Sequence, residues 1–561
     1  MKNGGGPVTR TSAAAGPTRL ALAGCFLALF LPWINPFSAG PSSSVQPWLL
    51  SAVCVALAFA IQAPGRLNAA LVLALAGLAA WAVARSGLAP ETMALAAACL
   101  LILMAAGTAA GGALDEGFVT AAALAWLLAA GVSAAIGLCQ YFGFADALAP
   151  WVNTSAAGEA YANLRQRNQF ASLTAFGMAA LFWLYPRHLG RWPAMAAIAW
   201  LAMGNAATTS RTGLAQMLLL GVLACAWPGA RRQRAVLWLA GLLAYALAAL
   251  VLPWLLELAT GVPGNRLWER VASVESCSSR AVLWSNVLHL IAQRPWAGWG
   301  WGELDFVHFT TLYEGTRFCD ILDNAHSLPL HLAVELGIPA ALLLCGGLLW
   351  AAVRARPWVE PQPERQMAWA ALAVIGVHSL LEYPLWYGPF QIALGLALGL
   401  LWPAKAQNHA VSGAAPRARV ASAAAAACVA VACAYVAWDY RRVSQIYLPA
   451  EARTPAMRDD PLPEIRRSWL FRSQARFAEL TITPLSHENA AWTFDNARAL
   501  LHYSPEPRVI EKLIESATVL GREQEMLLEL ARFRAAFPQA YSKWSKARTG
   551  RAPAQPDQPA T

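Results

Sequence analysis

A chain of 561 residues that is 57% hydrophobic and only 13% charged, with a mean hydropathy of +0.42, is excluded from the water-soluble globular class. A soluble domain carries roughly twice that charged fraction. The formal net charge of +10 does not point to nucleic acid either, because the basic residues sit in short clusters between apolar blocks, where they orient helices in a bilayer.

The apolar blocks are roughly twenty residues long, the length that crosses a hydrocarbon core about 30 Å thick. Nothing alternates like a barrel strand, so the blocks must be helices that satisfy their own amides. Lys2, Arg10 and Arg19 precede the first block as they would in a signal peptide. No small-residue cleavage site follows and further blocks come at once, which predicts a retained first span. In chain order, spans are expected near residues 18–34, 47–63, 67–84, 91–109, 118–140, 168–186, 193–209, 212–228, 234–257, 327–352, 366–381, 386–403 and 419–438, about thirteen in all. The fold class is therefore an all-α polytopic membrane protein.

Charge supplies the orientation. Arg187 and Arg191 fall in one connection, Arg231, Arg232 and Arg234 in a second, Arg354, Arg356 and Arg365 in a third, and Lys405, Arg417 and Arg419 in a fourth. These connections share a side with the N-terminus, and the alternate ones are nearly free of Lys and Arg. The basic side is cytoplasmic by the positive-inside rule, which places the C-terminus outside. The organisation expected is an N-terminal bundle (1–257), a large outer loop (258–326), a second set of spans (327–438) and an outer helical tail (439–561). The tail carries helical periodicity at Ile510, Leu513, Ile514 and Ala517, and its last dozen residues, rich in Pro, Ala and Gln, are expected to be disordered.

With this parity, Gln166, Arg167, Asn168, Arg211, Arg280, His326, Glu382 and Tyr383 all fall on the outer face, and polar groups gathered on one face of a bundle mark a site. Each also has a structural explanation. Asn168 suits a helix cap, and Arg165 and Arg167 suit headgroup contacts. Arg280 is in reach of Glu275, and Tyr383, followed by Pro384, suits an interfacial aromatic belt. Arg211 runs against the charge bias, at a break formed by Thr208, Thr209 and Ser210. His326 opens a long apolar run, and a helix N-terminus disfavours imidazolium, leaving a neutral ring that can act as a general base or simply sit at headgroup level. His331 and His378 lie deeper, and without H-E-x-x-H spacing the three histidines argue against a zinc protease.

Six segments, in order, resemble one family. They are Gln166-Arg167-Asn168-Gln169, Ser210-Arg211-Thr212-Gly213, Ser279-Arg280 with Trp284, Pro295-Trp296-Ala297-Gly298-Trp299-Gly300-Trp301-Gly302, Ala325-His326-Ser327-Leu328, and His378-Ser379-Leu380-Leu381-Glu382-Tyr383-Pro384-Leu385. The set is similar to the O-antigen ligase and polymerase (WaaL/Wzy) superfamily, most of all to its PglL-type O-linking protein oligosaccharyltransferases. One departure is Ser327, where the family more often has Asn after the histidine.

The resemblance implies a GT-C-like inner-membrane enzyme with its active site in the periplasm. It would transfer a preassembled oligosaccharide from undecaprenyl pyrophosphate to Ser or Thr hydroxyls of a pilin or another exported protein. It also implies roles: His326, Tyr383 and Gln166 catalytic, Arg211 and Arg280 on the pyrophosphate, and Asn168, His378 and Glu382 in support. Guanidiniums stay protonated and bind two oxygens at once, so no metal or other cofactor is expected. Direct displacement would invert the anomeric centre. Cys277 and Cys319, the two cysteines of the large loop, are expected to form a disulfide in an oxidising compartment; seven others (Cys25, Cys54, Cys99, Cys225, Cys345, Cys428 and Cys433) lie in apolar blocks. The competing expectations are an O-antigen ligase acting on lipid A core, a polymerase and, more distantly, a lipid-linked glycan transporter.

Overall fold

The computed structural model describes residues 19–38, 40–113, 115–264, 277–403 and 416–549. Lys2, Arg10, Glu275, Lys405 and the terminal Pro-rich segment of the sequence reading lie outside these residues. Every described regular element is helical, as a chain with so many apolar blocks requires in lipid.

The first half contains α1 (Arg19–Ile34), α2 (Val45–Gln62), α3 (Ala69–Ser86), α4 (Pro90–Gly112), α5 (Glu116–Tyr141), α6 (Arg167–His188), α7 (Arg191–Ala207), α8 (Arg211–Ala226) and α9 (Arg231–Thr260). Among the described residues, seven helical segments are long and apolar enough to cross a membrane. They are α2, α3, α4, α5, α9, the run Ile338–Val359, and the run Arg417–Tyr447. The shorter α1, α8 and Gly388–Leu401 are also apolar. Helices occupy every segment where a span was expected, and the break at Thr208–Ser210 separates α7 from α8.

Small residues let these helices approach, as membrane packing demands. A Cβ on Gly137 would fall 2.5 Å from the Phe170 ring, and one on Gly177 would fall 2.7 Å from Ala130. These contacts lock α5 against α6. Asn168 in the first turn of α6 and Arg187 in its last turn mark opposite ends of the bundle, and the site described below is at the Asn168 end.

The loop region folds as α10 (Arg280–Gln293) and α11 (Leu304–Thr310), followed by α12 (Leu328–Leu336). Here the expected continuous span over 327–352 is corrected. The helix stops at Gly337, which has φ +93°, and resumes as α13 (Ile338–Ala341) and α14 (Gly347–Ala355), joined by a π-helical turn over Leu342–Gly346. The cause is local. Residues 295–302 pair with the end of α12 through Trp299 N–H to Val334 O (2.9 Å) and Gly300 N–H to Glu335 O (2.9 Å). That pairing holds the short α12 in the loop layer, with α13 and α14 alone running on as the apolar segment. His326 consequently opens no span; it stands two residues before α12, with φ +49°.

The remaining membrane-level helices are α15 (Pro363–Leu381), α16 (Gly388–Leu401) and α17 (Pro416–Ser444). α16 packs on α4, where Gly395 and Gly399 meet the α4 backbone so closely that a Cβ would lie 2.5 and 2.1 Å from it. The tail comprises α18 (Leu462–Ile465), α19 (Arg472–Ile482), α20 (Ala490–Leu500), α21 (Pro507–Val519), α22 (Glu523–Ala536) and α23 (Pro538–Thr549). Its core of Phe494, Val509, Ile510, Leu513, Ile514 and Phe533 also takes in Phe309 of α11, so the tail docks on the loop.

Gly337 tests this reading of the broken helix. Its backbone conformation is open only to glycine, and an added Cβ would lie 2.2 Å from Trp296 O. Gly337→Ala should cost about 1–3 kcal/mol and lower the unfolding midpoint in detergent by several degrees; an unchanged midpoint contradicts the assigned strain.

Candidate functional site

Glu382 follows the last residue of α15, where the chain leaves helical geometry at φ −155° and ψ −166°. Pro384 forbids a helical continuation through Tyr383, so the carboxylate projects from the helix end and is nearly inaccessible, 9% exposed as a side chain. Four side chains from three other regions of the chain converge on it. His326 Nδ1 lies 2.7 Å from Glu382 Oε2. The Arg280 guanidinium, at the start of α10, forms an ion pair with Oε1. Gln166 and Asn168, flanking the start of α6, donate long hydrogen bonds of 3.4 Å to Oε2 and 3.5 Å to Oε1.

The carboxylate is buried, which favours its protonated form. The hydrogen bond and charge of His326, joined by the Arg280 guanidinium, outweigh that and hold Glu382 below its ordinary value. An ionised carboxylate only accepts, so the 2.7 Å contact assigns the proton to His326 Nδ1. In the neutral ring this tautomer leaves the Nε2 lone pair able to accept a proton. The carboxylate in direct contact sets the tautomer and orientation of His326. The backbone around it is fixed as well. His326 N–H donates to Asn324 Oδ1 (2.8 Å), and Trp284 of α10 donates to Ala325 O (3.1 Å).

Tyr383 packs edge-on against His326, with ring centroids 4.9 Å apart. Its ring also stacks with that of Tyr387, centroids 6.1 Å apart. Burial, with Tyr387, Asp323 and Glu382 nearby, pushes the Tyr383 hydroxyl well above its ordinary value, so it remains a donor. Arg211 begins α8 directly after Ser210, whose hydroxyl donates to Asn168 Oδ1 (2.6 Å) and accepts from Gly213 N–H (2.9 Å). The Arg211 side chain is exposed and has no hydrogen-bond or ion-pair partner among the described residues. Arg165 and Arg167 are engaged elsewhere: Arg165 donates to Pro36 O (2.6 Å), and Arg167 pairs with Glu159. His378, fully buried one turn before Glu382, bonds Ser172 rather than entering the cluster.

Cys277 and Cys319 form a disulfide with Cα atoms 5.5 Å apart, tying the residues before α10 to the segment leading to His326. Asn286 on α10 grips that segment again, accepting from Phe318 N–H (2.8 Å) and donating to Thr316 O (3.0 Å). The glycines of 298–302 bring Glu335 into play, because its carboxylate accepts from Gly302 N–H (3.0 Å) while pairing with His331 (3.2 Å). Sequence reading passed over Glu335 as one more residue in an apolar run.

Beside the cluster is a cavity of about 1190 Å³, walled at membrane depth by residues such as Leu71, Leu75, Ile102, Leu348 and Leu394. It does not reach His326; Trp386 and Asp323 form the shared wall. Its outer rim includes Glu91, Asp305 and Glu335. Burial, with Glu335, Asp323 and Glu303 nearby, pushes Asp305 up to about 8, so this carboxyl is mostly uncharged at neutral pH. No group of three or more His, Cys, Asp or Glu residues among those described is arranged to hold a metal ion.

Three family descriptions match successive parts of the chain. Residues 160–185 match a protein glycosylation ligase, 196–345 an O-antigen ligase, and 366–551 the C-terminal part of a virulence factor membrane-bound polymerase. Among curated proteins, the chain is similar to a general O-oligosaccharyltransferase of Acinetobacter baylyi, 25% identical over 259 residues, covering 43% of each chain. It is also similar to a ComP-specific O-oligosaccharyltransferase of the same organism, 25% identical over 124 residues, covering 22% of each chain. The chain thus spans less than half the length of the curated relatives it matches.

Because the folded-state pKa of Glu382 is depressed, its ionised form contributes stability above the ordinary carboxylate range, and this contribution is lost as pH falls through the lowered value. Glu382→Gln should unfold at neutral pH below the wild-type midpoint, with a flatter dependence on acid. Thermal unfolding in detergent from pH 7 to pH 3 reads this; parallel curves for the two proteins contradict the ionised assignment.

Proposed function

Since the chain belongs to the O-antigen ligase and polymerase superfamily, in its PglL-type protein-glycosylating branch, we propose that it transfers a preassembled oligosaccharide from undecaprenyl pyrophosphate to Ser or Thr hydroxyls of an exported protein such as a pilin. The observation that carries this reading is the His326–Glu382 pair, with the Arg280 guanidinium on the same carboxylate. In the reaction proposed, His326 Nε2 takes the proton of the acceptor hydroxyl. The oxygen attacks the anomeric carbon, the bond from that carbon to the pyrophosphate oxygen breaks, and undecaprenyl pyrophosphate leaves with the electron pair. Glu382 holds the ring by Nδ1–H and stabilises the imidazolium that forms, a role a buried carboxylate performs without itself accepting the proton.

Arg211 receives the pyrophosphate. Among the described residues it has no carboxylate to neutralise it, and charge-assisted bonds to phosphate oxygens are the strong kind. Arg280 is already engaged by Glu382, so it serves the pyrophosphate with its remaining donors and orients the carboxylate at the same time. Gln166 and Tyr383 donate to sugar or phosphate oxygens. The apolar cavity next to Trp386 could house the isoprenoid chain at membrane depth.

With the basic connections cytoplasmic, the cluster faces the periplasm, in an enzyme of the inner membrane with about thirteen spans and both the large loop and the tail outside. One direct displacement, without a metal, predicts inversion at the anomeric carbon. The acceptor could instead be lipid A core; the protein-glycosylation match over 160–185 and the names of the relatives favour a protein.

Co-expression with a lipid-linked glycan pathway and a pilin, followed by mass spectrometry, should show glycosylated pilin. Glycan on lipid A core with unmodified pilin would replace the protein acceptor. His326→Ala should lower turnover by about 10²–10⁴-fold, and full transfer by it would remove the general base. Arg211→Ala should weaken donor use, seen as a fall in kcat/KM of roughly 10²-fold or more.

A further inference from the structure

Beneath the site is a second polar layer that the proposed reaction does not touch. Gln216 of α8, Ser172 of α6 and His378 of α15 are all fully buried at membrane depth. Gln216 Nε2 donates to Ser172 Oγ (2.8 Å) and to Val374 O on α15 (3.0 Å). Ser172 Oγ lies 2.9 Å from His378 Nδ1. Ser172 Oγ also lies 3.2 Å from Gln216 Oε1, so its single proton can go to either neighbour and the chain is continuous in both cases; the other ring nitrogen of the histidine is Nε2. That nitrogen is buried without a partner.

The register of these three residues matters. Ser172 is four residues after Asn168, Gln216 five after Arg211, and His378 four before Glu382. At 1.5 Å per residue, each lies about 6–8 Å along its helix from a site residue. The three helices joined below are those that present Asn168, Arg211 and Glu382 above. Apolar packing by small residues brings membrane helices together, but it leaves their sliding and rotation weakly specified. A directional hydrogen-bond chain fixes both. Polar groups at this depth are costly, and a layer of them needs a reason beyond adhesion.

We propose that Ser172, Gln216 and His378 are positioning residues, a buried hydrogen-bond chain that sets the relative register of α6, α8 and α15 and so the placement of Asn168, Arg211 and Glu382. This rests on the transfer reaction proposed above, though not on the identity of its acceptor. His378 acts through Nδ1 and Ser172, not by contact with substrate. A displacement of the order of 1 Å at a reacting geometry costs about 10²-fold in rate, whereas the long, unpaired Arg211 side chain can follow a small shift and keep its hold on the donor.

The test uses the full-length protein in lipid nanodiscs, an undecaprenyl-pyrophosphate-linked disaccharide as donor, and a serine-containing pilin peptide as acceptor. Lipid A core replaces the peptide if the wild type uses it instead. Ser172→Ala, Gln216→Leu and His378→Leu should each lower kcat by about 10–100-fold with the donor KM within about twofold of wild type. His378→Asn, which retains a polar atom near the Nδ1 position, should recover most of the loss. Wild-type kcat in Ser172→Ala, the mildest variant, overturns the proposal even if His378→Leu fails to fold. A rise in KM at unchanged kcat overturns it too, as does His378→Asn folded yet as slow as His378→Leu, since Nε2 would then be the working atom. Wild-type protein inactive with both acceptors sinks the transfer reaction itself, a result distinct from active wild type with indifferent variants.

Discussion

One carboxylate organises this protein. Glu382 accepts from or pairs with His326, Arg280, Gln166 and Asn168, which come from three separate regions of the chain. A carboxylate so enclosed stays charged only because its neighbours supply a cation and hydrogen-bond donors; without them burial would neutralise it. Conversely, an imidazole with no acceptor on Nδ1 would have neither a fixed tautomer nor a fixed plane. The dependence is mutual, so the cluster is assembled or lost as a unit, and each member's orientation follows from the same two oxygens.

The architecture around Glu382 supplies rigidity where each group needs it. α15 ends at Leu381, and Pro384 prevents the helix from running past the carboxylate. His326 sits in an unusual positive-φ conformation, maintained by Asn324, Trp284 and the short α12 behind it. That helix is in turn braced by the glycine-rich turn over 298–302, where a Cβ on Gly298 would lie 2.3 Å from the Glu335 backbone. A strained residue persists only where its surroundings over-determine it, and here the bracing comes from three directions. Arg211 is the exception. It stands on a firm helix start but has no partner among the described residues, which suits a group whose partner arrives with a substrate.

Much of this was legible in the sequence. Apolar block length and turn residues located the helices, because lipid permits only self-satisfied backbone. The alternation of basic connections grouped Gln166, Arg211, Arg280, His326 and Glu382 on one face, since parity along a helical membrane chain is a strict constraint. The hierarchy among these residues was not legible. Glu382 reads as a supporting acid beside a more conspicuous tyrosine, because convergence of four side chains on one carboxylate is a fact of tertiary packing. The division at Gly337 was equally hidden: hydropathy is continuous across it, and only the pairing of residues 295–302 with α12 separates loop helix from span. Arg165 and Arg167 show the opposite case, charged neighbours of a site residue that turn out to be tied to Pro36 and Glu159.

The division of labour between the two arginines follows from their surroundings. Arg280 has its charge largely answered by Glu382, so a phosphate approaching it gains less than it would from an unpaired guanidinium, and the carboxylate itself repels the incoming anion. Arg211 carries no such penalty. In the proposed reaction an anionic donor headgroup would gain most from Arg211, while His326 stays held to Glu382 Oε2 by the bond that orients it. In that reaction the base must meet the acceptor hydroxyl on the face of the anomeric carbon opposite the departing pyrophosphate, and a carboxylate already bonded to the imidazole keeps an incoming anion from taking its place.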